Sequence, residues 1–530
     1  MNAEPAARAD VYDEVPYPGL SHFLSHPGHV GAVAQVLGLN PASPESCRVL
    51  EIGCAAGYNL LPMAETLPAS EFIGIDTSAG QIAAGRAAIE ALGLTNIDLQ
   101  CRSLEDIGEA DGKFDYIIAY GVYSWVPEDV RDRLIAVIRS NLAESGVAYL
   151  SYDTYPGWFQ MRKMREMLLY HTRRIEEPLE RVTAARELVA FLAAADEERG
   201  GSDGSFIEAY ARSMAAREDG FLLHDELAPT NDPVYFHEFA EHLERHGLAY
   251  LAESDFPEVM AARLAPEAAE GLNRMAGTLV EREQYMDFLR DRGFRETLVT
   301  HAATAAGRDL HVDAERYRRF YVTSRATAIA PVDVSSESVA RFELSKAVSL
   351  STNHPVSKAA MVVLDDAFPL WLGFDELFER ASALVREART DARATSPAEV
   401  EADRTQLATT LLRGFAQDRG LISLSIAAPG FVTVVTPRPE ASGLARYRAA
   451  LGKRTVVNLA HQQIALDPLS SRLLPFLDGE HTREQLLEIV SELHGAGAQE
   501  HGLPAASRDE LEADFYACLA ALAGHALLKA

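Results

Sequence analysis

An acidic residue that closes a buried apolar run just ahead of a glycine turn can do chemistry. The stretch Leu50-Glu51-Ile52-Gly53-Cys54-Ala55-Ala56-Gly57-Tyr58-Asn59 has that form. Backbone N–H groups of such a turn, with the first turn of the following helix, present positive dipole to an anionic group. A dinucleotide loop would read GxGxxG and seat a pyrophosphate. Here the second glycine of that pattern is missing, at Ala55, and Glu51 would repel a pyrophosphate. A carboxylate at this point suits a zwitterion with an ammonium group, such as the methionine moiety of S-adenosylmethionine. Asp76 ends the next apolar run, 25 residues after Glu51. An acid there accepts hydrogen bonds from a ribose diol, whether the nucleotide is NAD or S-adenosylmethionine. An ordinary α/β turn with solvated acids is the alternative to both. Ala55 fits the turn with a negative φ; a positive φ would strain it by about 1 kcal/mol or more.

These residues need strands to carry them. Strands are expected at 47–54, 71–78, 96–104, 114–120 and 146–153, with helices at 59–67, 79–94 and 127–142 between them. Short apolar strands alternating with helices imply parallel βαβ units and a doubly wound sheet. Arg102, Ser103 and Leu104 end the third strand, where an adenine would sit; a plain strand end is the competing reading. Residues 158–217 read as a helical insertion, interrupted at 198–205. Strand signals return at 247–254 and 294–301 and are expected to complete the same sheet. "APVDVSSES" (330–338) reads as a linker, 386–406 as an exposed polar stretch, and 339–395 and 470–530 as helical pairs.

The 530 residues predict roughly three domains. A net charge of −29 argues against unaided nucleic-acid binding, which needs a basic face. Cys47, Cys54, Cys101 and Cys518 are scattered, without a CxxC pair, so neither a disulfide framework nor a zinc site is expected. With no signal-peptide pattern and no apolar run near the ~20 residues that span a bilayer, no membrane association is expected and the expected compartment is the cytoplasm.

The histidines carry little. His22, His26 and His29 flank a helix boundary, and no metal site is expected there. In "HEFAEH" (237–242) the two histidines are five apart, about 140° around a helix rather than on one face. His242 and His246 are correctly spaced but read as a solvated helix face with Glu241 and Glu244.

"YDEVPYP" (12–18), "LEIGCAAGYNLLPMAETLP" (50–68), "FIGIDTS" (72–78), "FDYIIAYGVYSWVP" (114–127) and "SYDTYPGW" (151–158) occur in order. Together they resemble class I S-adenosylmethionine-dependent methyltransferases that carry a methyltransferase regulatory domain, a group that includes rickettsial lysine methyltransferases of outer-membrane proteins. Residues 224–256 and 283–301 resemble that regulatory segment, and the C-terminal third resembles the group's winged-helix-type region. The chain departs from the group at Ala55, where its loop has glycine, and at Asp153, where its motif has asparagine.

The resemblance implies an α/β fold: a Rossmann-like class I methyltransferase sheet with a helical insertion and a mostly helical, winged-helix-like C-terminal region. Its expected divisions are 1–157 for S-adenosylmethionine, 158–231 for the insertion, 232–330 for the regulatory segment and 331–530 for the C-terminal region. The cofactor, S-adenosyl-L-methionine, is expected at Tyr12, Tyr17, Glu51, Gly53, Cys54, Ala55, Gly57, Asn59, Asp76, Thr77, Ser78, Gln81, Arg102, Ser103, Leu104, Ala119, Tyr120 and Gly121. Tyr12 and Tyr17 would belong to a lid formed by the N-terminal segment, whose deletion is expected to weaken cofactor binding.

Methyl transfer is an in-line displacement in which positioning and exclusion of water dominate. Aromatic faces would stabilise the positive charge by cation–π contact. Tyr123, Trp125 and Tyr152 are the expected catalytic residues, with Tyr120, Tyr155 and Trp158 near them; a packed core aromatic is the alternative for each. Tyr123→Phe and Trp125→Ala are expected to lower turnover more than cofactor binding. No residue stands out as an obligatory base. The expected acceptor is a protein lysine; a small-molecule acceptor, or a non-catalytic regulator that binds S-adenosylmethionine, is the alternative. Relatives dimerise through the insertion, which implies a possible homodimer.

Overall fold

The computed structural model describes residues 11–198, 206–259, 265–309, 311–312, 314–389, 396–495 and 508–529. The expected break at 198–205 therefore lies almost wholly outside the described residues.

Five short runs rich in Val, Ile, Leu and Phe form the parallel heart of one sheet: β1 (Arg48–Ile52), β2 (Glu71–Asp76), β3 (Ile97–Cys101), β4 (Phe114–Ala119) and β5 (Leu142–Asp153). Runs this apolar suit strands covered on both faces. Helices α1 (Pro27–Val36), α2 (Leu60–Thr66), α3 (Ala79–Leu92) and α4 (Glu128–Asn141) supply the cover. β6 (Leu248–Glu253) and β7 (Phe294–His301) join the same sheet, as expected, giving the order β3-β2-β1-β4-β5-β7-β6. β7 runs antiparallel to both β5 and β6. The order reverses between β1 and β4, the switch point where open α/β sheets bind ligands.

The insertion is α5 (Trp158–Thr172), α6 (Pro178–Glu198) and α7 (Phe206–Ala216), around a small core of Met164, Leu168, Val182, Val189, Tyr210 and Met214. The chain returns through α8 (Phe236–Arg245) to β6.

Residues 330–338 do not behave as the expected linker. They lie between short strands Thr327–Ala328 and Ala340–Ser345, and the buried Lys358 ammonium donates to the carbonyls of Asp333, Ser336 and Ser338. A buried ammonium requires such partners. The region that follows, with Phe342, Val356, Phe374 and Phe415, shares one continuous apolar core with α1 and one face of the sheet. The last part of the chain, with Leu473, Leu486, Phe515 and Leu522, has a core of its own.

Candidate active site

The turn after β1 is built by two glycines in the left-handed region, Gly53 (φ 73°) and Gly57 (φ 72°). Ala55 lies between them at φ 48°, the positive side on which alanine is strained. Its N–H donates to Asp76 Oδ2 at 2.8 Å, so the strained residue is also the one that ties the turn to the end of β2. Asp76 Oδ1 accepts from the Ser78 N–H at 2.9 Å. Burial pushes the Asp76 carboxyl up, and its backbone donors oppose that.

Glu51 is 4% exposed. Its Oε1 accepts from Asn59 Nδ2 at 2.9 Å, while its Oε2 is buried without a partner. Burial pushes this carboxyl up to about 8, against the Asn59 hydrogen bond. A buried carboxylate oxygen left over at the end of β1 fits a ligand ammonium, because an unmatched buried acceptor costs on the order of 1–3 kcal/mol.

Asn59 heads α2, but its side chain does not cap that helix. Nδ2 also donates to Ser25 Oγ at 3.0 Å, and Oδ1 accepts from the His22 N–H at 2.9 Å and faces His461 Nε2 at 3.0 Å. His461 comes from the far C-terminal region and is 4% exposed. It holds φ 59° in a turn closed by Asn458 Oδ1, which accepts from the N–H groups of Ala460 and Gln462.

The N-terminal segment crosses this centre as a strap. Asp13 Oδ1 accepts from Ser78 Oγ at 2.5 Å and from the Gly80 N–H at 2.9 Å, at the start of α3. The buried Gln81 donates to the Tyr17 carbonyl at 3.3 Å. Gly19 lies so close to Tyr58 that a Cβ there would fall 1.8 Å from the ring. Tyr12 stacks on His224 at 3.9 Å, and Tyr17 meets Phe221 edge-on at 5.3 Å, so the strap bridges sheet and insertion. His22 stacks on Tyr120 at 3.4 Å. Gly121, at φ 64°, donates its N–H to Ser151 Oγ at 2.8 Å, joining the ends of β4 and β5.

The structure thus brings Tyr12, Tyr17, Glu51, Gly53, Ala55, Gly57, Asn59, Asp76, Ser78, Gln81, Tyr120 and Gly121 together by hydrogen bonds and ring contacts about the C-terminal ends of β1, β2 and β4. Cys54 is buried in the turn, its thiol pushed up by burial; Ala119 is a core residue of β4, and Thr77 is exposed. Arg102 is placed differently from expectation. Its guanidinium is taken by Asp111 (2.7 Å), and only its backbone, donating to the Asp76 carbonyl at 2.9 Å, borders the site. The Ser103 hydroxyl caps the turn at Leu104–Asp106, and Leu104 is buried behind it.

The expected catalytic aromatics have the following surroundings. Tyr123 and Tyr152 are 3% and 1% exposed and pack with Phe239 in the core on the other face of the sheet. The Tyr123 hydroxyl meets His242 Nδ1 at 2.9 Å rather than the crevice. His242, expected on a solvated face, is buried; it and His246 both face Asp132 Oδ1, at 3.3 and 2.9 Å. Trp125 lies under the Arg165 guanidinium, 5.1 Å away. Tyr155 stacks on Phe159, and the Trp158 indole donates to Asn231 Oδ1 at 2.7 Å. His22, His26 and His29 do frame a helix boundary, with His26 capping α1.

Residues 49–146 match the methyltransferase domain family, 218–301 the predicted methyltransferase regulatory domain, and 437–527 the PKMT C-terminal winged helix domain. An uncharacterised protein of Rickettsia prowazekii is 30% identical over 493 residues, covering 90% of this chain and 85% of that protein. PKMT2 from Rickettsia typhi, solved in complex with AdoHcy, superposes with a TM-score of 0.82 at 26% identity, over 97% of this chain and all of that one.

Proposed function

The chain belongs to the class I S-adenosylmethionine-dependent methyltransferases that carry a methyltransferase regulatory domain, and from that premise we propose that it methylates lysine side chains of a protein. When bound, S-adenosylmethionine supplies a methyl group on an electrophilic sulfonium. The chain's own part is to hold it: Glu51 for the ammonium, the Gly53–Gly57 turn as the backbone against the methionine moiety, Asp76 for the ribose, and Tyr12 and Tyr17 above as a lid. The free Oε2 of Glu51 supports the first of these assignments.

The observation that carries the acceptor is the correspondence along the whole chain with PKMT2, a protein lysine methyltransferase, including the winged-helix region. A metabolite methyltransferase would need no such appended region. Incubating the protein with labelled S-adenosylmethionine, unfolded cell-envelope proteins and a metabolite panel tests the reading. Label recovered as methyl-lysine supports it; label in small molecules or in hydroxyl groups rejects it.

Two further parts of this reading concern assembly and compartment. The insertion exposes Phe159, Tyr170 and Phe191, which supports a homodimer formed through it, and light scattering that reports a monomer would reject that. All four cysteines are free, which fits a reducing cytoplasm. Among the described residues no helix is long and apolar enough to cross a membrane.

A further inference from the structure

A lysine acceptor must give up a proton before its nitrogen can attack, and the sequence offered no base. The end of β5 does. Side chains alternate along a strand. Ala148, Leu150 and Tyr152 pack in one core and Val147 and Tyr149 in the other, so Asp153 shares a face with Tyr149. Tyr149 stacks with Tyr120 at 6.4 Å, and Tyr120 stacks with His22 of the strap. Asp153 therefore lies on the side of the sheet that the strap covers.

Its surroundings fix which oxygen is available. An indole is only a donor, so Asn231 must turn Oδ1 toward Trp158 Nε1 (2.7 Å) and Nδ2 toward Asp153 Oδ2 (2.6 Å). Oδ2 is thereby an acceptor in either protonation state, and any proton resides on Oδ1. No described residue donates to Oδ1, although Asp153 is only 2% exposed. The neighbouring charged groups are Arg165 on α5 and Asp225 and Glu226 on the segment after α7. Arg165 donates through Nη2 to the Ala228 carbonyl and lies over the Trp125 face, and its Nη1 is buried without a partner. Arg217 pairs with both Asp225 and Glu226. Asp153 is left as a buried acid with no salt-bridge partner among the described residues, Arg165 acting on it only from a distance. Burial pushes it up to about 7, opposed by Asn231 and Arg165 and reinforced by Asp225 and Glu226.

We propose that in this chain, which departs here from its group's asparagine, Asp153 is the acceptor-side acid, its Oδ1 receiving a primary alkylammonium of the lysine class and taking one proton from it. The inference rests on the lysine reading above. One N–H bond breaks, the proton passes to Oδ1, and the nitrogen keeps the electron pair. That pair forms the N–CH3 bond as the C–S bond breaks and sulfur retains its own pair. Oδ1 then returns the proton to water. Asn231 acts as the positioning residue.

The test compares the full-length protein with Asp153→Asn and Asn231→Ala, using labelled S-adenosylmethionine and unfolded bacterial cell-envelope protein. Label is measured as methyl-lysine after hydrolysis, and cofactor affinity by calorimetry. In Asp153→Asn the side-chain oxygen must still accept from Asn231, which turns an NH2 donor toward the ammonium. Methyl-lysine formation is expected to fall by about 100-fold or more at pH 7, with the cofactor Kd changed less than about twofold. The wild-type rate is expected to rise with pH through an acid limb near 7 that the variant lacks. Asn231→Ala removes a bond that lowers the Asp153 pKa, so its acid limb moves to higher pH. A loss below about tenfold with the acid limb unchanged overturns the proposal and leaves lysine methylation standing. Label absent from lysine in the wild-type protein overturns both.

Discussion

Replacing Ala55 by glycine isolates the departure at the cofactor turn. Ala55 sits at φ 48°, where a Cβ costs about 1–2 kcal/mol relative to glycine. Glycine gives the unfolded chain extra freedom worth about 0.4–1 kcal/mol, which offsets part of that relief. About 0.5–1 kcal/mol remains in favour of Ala55→Gly. How it divides depends on when the turn reaches φ 48°. If the turn always holds that angle, the gain goes to fold stability and the cofactor Kd is unchanged. If the angle is reached on binding, the Kd tightens by about two- to fivefold. The sum of the two terms is the same either way, because both end in the bound, folded turn. Urea denaturation of the cofactor-saturated protein reads that sum, and calorimetry reads the binding share. A saturated variant no more stable than the parent would refute the reasoning. That result would mean that glycine at 55 loses the N–H bond that Ala55 donates to Asp76.

Three further outcomes follow from the same centre. Glu51, with its pKa pushed up to about 8 by burial, is mostly protonated at pH 7 in the absence of a cation. A ligand ammonium favours the carboxylate, so cofactor binding at pH 7 should release a proton from this group. Calorimetry in buffers of different ionisation enthalpy measures the release, which Glu51→Gln should abolish along with much of the affinity. His461→Ala leaves Asn59 Oδ1 with one of its two partners and should weaken cofactor binding by about 1 kcal/mol; parental affinity would show that the C-terminal region does not support the site. Tyr123→Phe strips His242 Nδ1 of its buried partner and should cost about 1–2 kcal/mol of stability in denaturation, with turnover within about threefold of the parent.

The parts of the site legible in the sequence are those that local chain geometry fixes. Glu51, Gly53, Gly57 and Asp76 stand at the ends of apolar runs, and a strand end followed by a glycine turn places them without knowledge of the rest. Asn59 and His461 are 402 positions apart, and neither carries a local mark of the other. The same holds for residues 330–338. Their composition is that of a linker, and only the Lys358 ammonium, brought in by tertiary packing, makes them a fixed loop. Propensity has no access to such contacts.

The misplaced aromatics are a different case, because the deciding rule is local. Consecutive residues of a strand point to opposite faces. Tyr152 and Asp153 therefore cannot both look into one crevice, and a choice between them was already implicit in "AYLSYDTY". The apolar run Ala148, Leu150, Tyr152 belongs with a helix-covered core. The polar alternation Ser151, Asp153 continues from Tyr149, and Ser151 is the residue that receives the Gly121 N–H at the end of β4. Large aromatics near a strand end draw notice as cation–π partners, yet their apolar area favours burial wherever the period allows it. At the end of β5 the period assigns the tyrosine to the core and the acid to the crevice. A strand-end acid held on the ligand side by Asn231 is a stronger mark of chemistry here than the tyrosine beside it.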